Sequence, residues 1–149
     1  MYEAVSPYCW RCGVDSGTMT HIWWACPRIR PLWEEAQNTL QAIGITDPPL
    51  DIHTGLFLSY PRPTPVPTKR IMTIAALVAR NLIASQWKQP HCPSKLQLLS
   101  KIQQYYIYER MSTKTTAQSK HFQTSWIPWV EYWDTHTSHI PPHGRPSRT

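Results

Sequence analysis

Cys9, Cys12, His21 and Cys26 form the pattern C-x2-C-x8-H-x4-C near the start of a 149-residue chain. Two cysteines with two residues between them can bring both thiolates onto one ion through a tight turn. A His and a third Cys then complete the four tetrahedral positions that structural Zn²⁺ takes. Gly13 follows the second Cys, where such a knuckle needs a positive φ or backbone amides close to sulfur. His21 and Cys26 are five residues apart, roughly 140° around a continuous α-helix, so they converge only if the helix breaks. Pro27 supplies the break, because the residue before a proline is disfavoured in the α region. The competing reading is a chance spacing of reduced cysteines in a core. Cys92, far off beside His91 and Pro93, reads as a plain thiol.

The elements that hold this cluster are expected to be helical. Pro31 to Glu35 reads as a first turn, with proline at the start and acids at the positive end of the dipole. Leu32, Trp33, Ala36, Leu40 and Ile43 make one apolar face, and Gly44 is a good stop. Glu34 and Glu35 are adjacent, so they point apart and read as a solvated face rather than an acid/base pair. Residues 45–68 carry six prolines and read as a connection, with Pro61 to Pro67 extended in a polyproline-like spacer. His53, within it, reads as a surface residue.

A helix over 68–88 turns Ile71, Ile74, Ala75, Val78, Leu82 and Trp87 inward. Ser94 opens another over 94–111 with Gln97 in capping-box position, and Leu96, Leu99, Ile102, Tyr105 and Tyr106 facing the core. A polar loop at 112–118 precedes a last helix over 121–133, with Phe122, Trp126, Trp129, Val130 and Trp133 inward and Pro128 interrupting. The expected fold is mainly α. It comprises a Cys-Cys-His-Cys zinc knuckle (8–30), a helical bundle (31–133) and a disordered tail (134–149) holding His136, His139 and His143.

Eight Trp and seven Tyr against two Phe are many large rings for a small core, so some are expected half exposed. Residues 1–50 hold three Lys/Arg against five Asp/Glu, net −2, while 51–149 hold twelve against four, net +8. A basic body points to nucleic acid or another polyanion. The N-terminus has no apolar signal segment. The longest apolar run, Ile71 to Ala84, is interrupted by Arg80 and Asn81 and is too short to cross a bilayer. With zinc-type cysteine spacing, these features lead to the expectation of an intracellular, reducing compartment and no membrane partner.

Cys9-Trp10-Arg11-Cys12-Gly13, Gly17-Thr18, His21-Ile22-Trp23-Trp24 and Cys26-Pro27, then Ile29 and Leu32-Trp33, resemble the C-terminal zinc-knuckle end of LINE-type (non-LTR) retrotransposon reverse transcriptase polyproteins. The resemblance continues through Ile74-Ala75-Ala76, Ala79 to Ile83 and Trp87-Lys88 to Trp126, Pro128-Trp129 and Tyr132, nearly all of residues 8–133. It implies a segment that helps hold template RNA or target DNA for a polymerase. The family's polymerase uses adjacent aspartates for two-metal phosphoryl transfer. Here Asp15, Asp47, Asp51 and Asp134 are all apart, and no endonuclease segment is present. The chain therefore matches only the polyprotein's tail and is expected to have no catalytic residues and no enzymatic activity.

On that reading Arg11, Arg28 and Arg30 contact phosphate and Trp10 stacks on a base, giving weak, largely sequence-independent binding of single-stranded RNA or DNA. Trp23 and Trp24 read as a platform joining the knuckle to the first helix, with stacking as the alternative. Two other readings stand beside this one. One is a helical interaction module that packs on the reverse transcriptase domain, and the other is a remnant open reading frame without selected function.

Overall fold

Four α-helices carry just over half of the described residues: α1 (Arg30–Ala42), α2 (Val66–Ser85), α3 (Lys95–Ser112) and α4 (Thr116–His136). The computed structural model describes residues 6–113 and 115–137, with the Thr116 side chain excepted. The fold is mainly helical, as expected. Among the described residues the only sheet-like pairing is one antiparallel bridge, Tyr8 to Ser16, inside the knuckle. No described helix is long and apolar enough to cross a membrane.

Helix α2 lies at the centre and packs against α1, α3 and α4. Five of the six residues expected to face inward are buried, Trp87 lying past the helix end, and Met72, Ala76, Ala79 and Ile83 are buried as well. A helix apolar over so wide an arc is one surrounded by neighbours, and its alanines let those neighbours approach closely. The helix begins two residues early. Pro65 is its N-cap and Pro67 lies in its first turn, where the missing N–H is no loss. Pro61 to Pro67 is therefore not extended throughout. Thr64 N–H first closes a turn onto the Pro61 carbonyl at 3.1 Å, and the helix then starts at Val66.

The rest of the proline-rich connection is also built. Ile52–Leu56 forms one π-helical turn, opened by a reciprocal capping box between Asp51 and Thr54. Thr54 is buried, and its hydroxyl donates to the Pro49 carbonyl at 2.9 Å. Gly55 sits against Trp24 of the knuckle and Trp33 of α1, so closely that a Cβ there would lie 2.7 Å from Trp24 Cζ3 and 3.2 Å from Trp33 Cζ3. Gly55→Ala is expected to cost about 1–3 kcal/mol, the usual penalty of overpacking. A urea midpoint equal to that of the wild type would contradict this close approach.

Helix α1 ends as its sequence suggests. Gly44 takes φ +91°, its N–H reaches the Gln41 carbonyl, and Ile45 N–H reaches Leu40 at 2.8 Å, together a Schellman closure. Helix α3 opens on the expected Ser94–Gln97 box. Its inward face is rotated from the expectation, however. Leu98 and Gln103 are buried with Leu99 and Ile102, while Leu96 and Tyr105 face solvent. Gln103 is drawn in because its Oε1 accepts from the buried Trp129 indole at 2.9 Å.

Helix α4 is longer than expected at both ends. Thr115 and Gln118 form a third reciprocal capping box, which starts the helix at Thr116 within the stretch read as a loop. Its turns continue through Pro128 and beyond Asp134 to His136. They continue because Tyr132 and Trp133 are buried, and Thr137 is buried with its hydroxyl on the Trp133 carbonyl at 2.6 Å. The expected disordered tail therefore does not start at Asp134, and its remainder, with His139 and His143, lies outside the described residues.

Candidate metal centre

The first half of the centre is a short loop. Cys9 N–H bonds to the Asp15 carbonyl and Gly13 N–H to the Cys9 carbonyl, both at 2.7 Å, while Gly17 N–H reaches Pro7 at 2.8 Å. Gly13 has φ +72°, the left-handed turn that glycine enters without a Cβ penalty. The loop folds the C-x-x-C segment back on itself and turns Cys9 and Cys12 to one side.

The second half comes from a helical turn of altered pitch. His21–Ala25 is a π-turn, closed by Cys26 N–H on the His21 carbonyl at 2.8 Å. In an i→i+5 turn the fifth residue comes back over the first, so His21 and Cys26 meet on one side although they are five apart. The helix is widened here before it stops. Cys26 then leaves with ψ 127°, as a residue before proline should. Thr18 Oγ1 accepts from His21 N–H at 3.2 Å and pins the start of the turn.

The four donor atoms converge, every one within 4.8 Å of the others. Cys9 Sγ is 3.9 Å from Cys26 Sγ, and Cys12 Sγ is 3.4 Å from His21 Nε2. With Zn–S near 2.3 Å and Zn–N near 2.0 Å, a tetrahedron has edges of about 3.8 Å between sulfurs and about 3.5 Å between sulfur and nitrogen. The spacing therefore fits a zinc-type donor set. It also excludes a Cys9–Cys26 disulfide, which needs sulfurs about 2.05 Å apart. Cys9, Cys26 and His21 are buried and Cys12 half-buried, so the donors face inward.

Local electrostatics favour thiolate at Cys12. The backbone amides of Asp15 and Val14 bond its sulfur, and against some burial they, with the His21 ring and Cys9, bring its pKa down to about 6. Burial pushes the Cys26 thiol up, opposed by the Arg28 amide and the Arg11 side chain. Cys92 stands outside the group of four, half-buried, its thiol raised by burial.

The four residues proposed for nucleic acid differ in placement. Trp10 is 46% exposed and Arg28 is exposed. Arg30 is half-exposed, its guanidinium 5.4 Å from the centre of the Trp24 ring. Arg11 is only 8% exposed and points inward: Nη1 donates to the Ile22 carbonyl at 3.0 Å, and the Trp10 and Trp87 rings cover it at 5.2 and 5.4 Å. It is thus withdrawn from the surface on which a phosphate would lie.

Trp23 and Trp24 form the joint between centre and bundle. Trp24 packs on Trp33 of α1 at 4.6 Å, and the Trp33 indole donates to the Trp23 carbonyl at 2.9 Å. Trp23 meets Trp87 at 5.2 Å. Helix α2 ends at Ser85, so Trp87 leaves the helical stripe read from sequence and covers the centre instead. No signal within the chain's periodicity distinguishes these two roles for Trp87. His53 lies on the surface, against Phe57 at 6.5 Å. No protein-family model matches the chain, so what it does has to be argued from this centre and the surface around it.

Proposed function

We propose that the chain is a noncatalytic, zinc-stabilised segment that binds single-stranded nucleic acid, the role it would have at the C-terminal end of a LINE-type reverse transcriptase polyprotein. The observation that carries this reading is the convergence of Cys9, Cys12, His21 and Cys26 within 4.8 Å. A metal with four protein donors has no open position for water or substrate, which is the arrangement of structural zinc rather than catalytic zinc. Exposed Trp10 and Arg28, with half-exposed Arg30 two residues beyond Arg28, supply a stacking surface and phosphate partners. The family origin rests on the sequence resemblance.

Fluorescence anisotropy with a labelled single-stranded RNA, at two salt concentrations, tests the binding. Affinity should fall steeply with salt, and replacing Arg28 and Arg30 should flatten the log–log slope by about 0.7 for each phosphate no longer neutralised. Trp10→Ala should remove about 1–3 kcal/mol if the ring stacks on a base. Absent binding by the zinc-loaded chain would refute the nucleic-acid role.

One observation favours a second reading, an interaction module that packs on the polymerase. Val66, Tyr108, Met111 and Ile127 are exposed on the helical bundle, away from the centre in sequence. Association through such surface would barely respond to salt, so the same titration separates the two readings.

A further inference from the structure

Arg11 lies inside the C-x-x-C turn, between two metal donors, yet no part of the donor set uses it. It is 8% exposed, with one terminal nitrogen on the Ile22 carbonyl. The other, Nη2, is fully buried and has no partner. Among the described residues no carboxylate pairs with it; ion pairs such as Arg70–Glu109 and Lys95–Glu35 involve other cations. A guanidinium stays protonated at any pH the protein meets. A buried cation with no anion is not a stable arrangement, so the anion has to come from its surroundings. Groups near it that can become negative are the thiols of the centre, and the Arg11 side chain already bears on Cys26, opposing the effect of burial on that thiol.

We infer that Arg11 is the counter-ion of the metal centre, donating from Nη2 to the Cys26 thiolate once a divalent ion is held. The inference rests on the zinc reading above. Charge arithmetic supports it. A divalent ion, three thiolates and a neutral imidazole sum to −1, and one guanidinium brings the buried assembly to zero. A four-Cys set would leave −1 with the same arginine, and a two-Cys, two-His set would leave +1. The single buried arginine thus matches the three-Cys, one-His set of this chain. Trp10 and Trp87, lying over the guanidinium, hold the fork in position and keep water from competing for it. Arg11 is a positioning residue: it acts through the Cys26 sulfur and does not touch the metal.

The test compares wild type with Arg11→Met, which keeps an unbranched stem between the two rings and removes the charge. Zinc affinity by competition with a chromophoric chelator should fall by about tenfold to a hundredfold, the usual effect of removing an outer-shell partner. In the Co²⁺-loaded variant the sulfur-to-metal charge-transfer bands should shift, because one thiolate no longer accepts a hydrogen bond. Wild-type affinity together with wild-type bands in Arg11→Met would overturn the inference while leaving zinc binding intact. A wild-type chain that takes up no zinc would sink the zinc reading, and this inference with it. If Arg11→Met does not fold, NMR of the nitrogen-labelled wild type decides. The Arg11 guanidinium protons should shift on zinc loading while those of exposed Arg28 stay put, and unmoved Arg11 resonances would overturn the proposal.

Discussion

Replacing Cys12 by serine should reduce bound zinc from one equivalent to almost none after dialysis, whereas Cys92→Ser should leave the equivalent in place. Cys12 Sγ accepts from the Val14 and Asp15 amides and lies 3.4 Å from His21 Nε2, so its thiolate is prepared for the metal. A serine hydroxyl does not ionise near neutral pH, and three remaining donors bind zinc far more weakly. The effect should extend beyond the metal. Structural zinc contributes about 10–16 kcal/mol in small finger peptides, comparable to the whole stability of an ordinary domain, about 5–15 kcal/mol. The centre is tied to α1 through the Trp24–Trp33 packing and the Trp33 indole bond. The variant should therefore also show altered tryptophan fluorescence. A full equivalent of zinc retained by Cys12→Ser would contradict the ligand assignment.

The second large effect is expected far from the metal, at Trp129. Its ring is 1% exposed in α4, among Tyr132 and Trp133, and its Nε1 donates to Gln103 of α3 at 2.9 Å. Trp129→Ala opens a cavity worth about 3–5 kcal/mol. It also leaves the buried Gln103 carboxamide oxygen unsatisfied, for about 1–3 kcal/mol more. Together these approach the entire stability of the chain, so the variant should be largely unfolded or unfold at very low urea. Trp129→Phe separates the two effects, since it keeps most of the ring and removes only the donor. A Trp129→Ala chain with the wild-type urea midpoint would mean that α3 and α4 do not pack through this residue.

What could be read from the residues, and what could not, divides along physical lines. The grouping of Cys9, Cys12, His21 and Cys26 was legible because a zinc-type pattern imposes type and spacing that few other demands impose, and Gly13 was legible because its turn needs a positive φ. The α1 stop at Gly44 and the Ser94–Gln97 box were legible for the same reason, each being a local backbone requirement. The π-turns were not. Nothing in His21–Ala25 or Ile52–Leu56 marks a five-residue hydrogen bond, which tertiary packing selects. Nor was the inward turn of Gln103, which depends on an indole 26 residues away. Arg11 shows the limit most plainly. By type and place it reads as a phosphate partner, but two tryptophans from different segments cover it, and that enclosure is invisible along the chain. Thr115–Gln118 is a different case: that capping box was readable but lay inside a Ser/Thr-rich stretch that suggested a loop.

The most direct test of the central claim is X-ray absorption at the zinc edge on the purified, zinc-loaded chain. Ligation by Cys9, Cys12, His21 and Cys26 predicts three sulfur scatterers at about 2.3 Å and one nitrogen at about 2.0–2.1 Å, with no fifth neighbour. A shell of light atoms alone, a four-sulfur shell that recruits Cys92, or an open position filled by water would contradict a closed Cys-Cys-His-Cys centre.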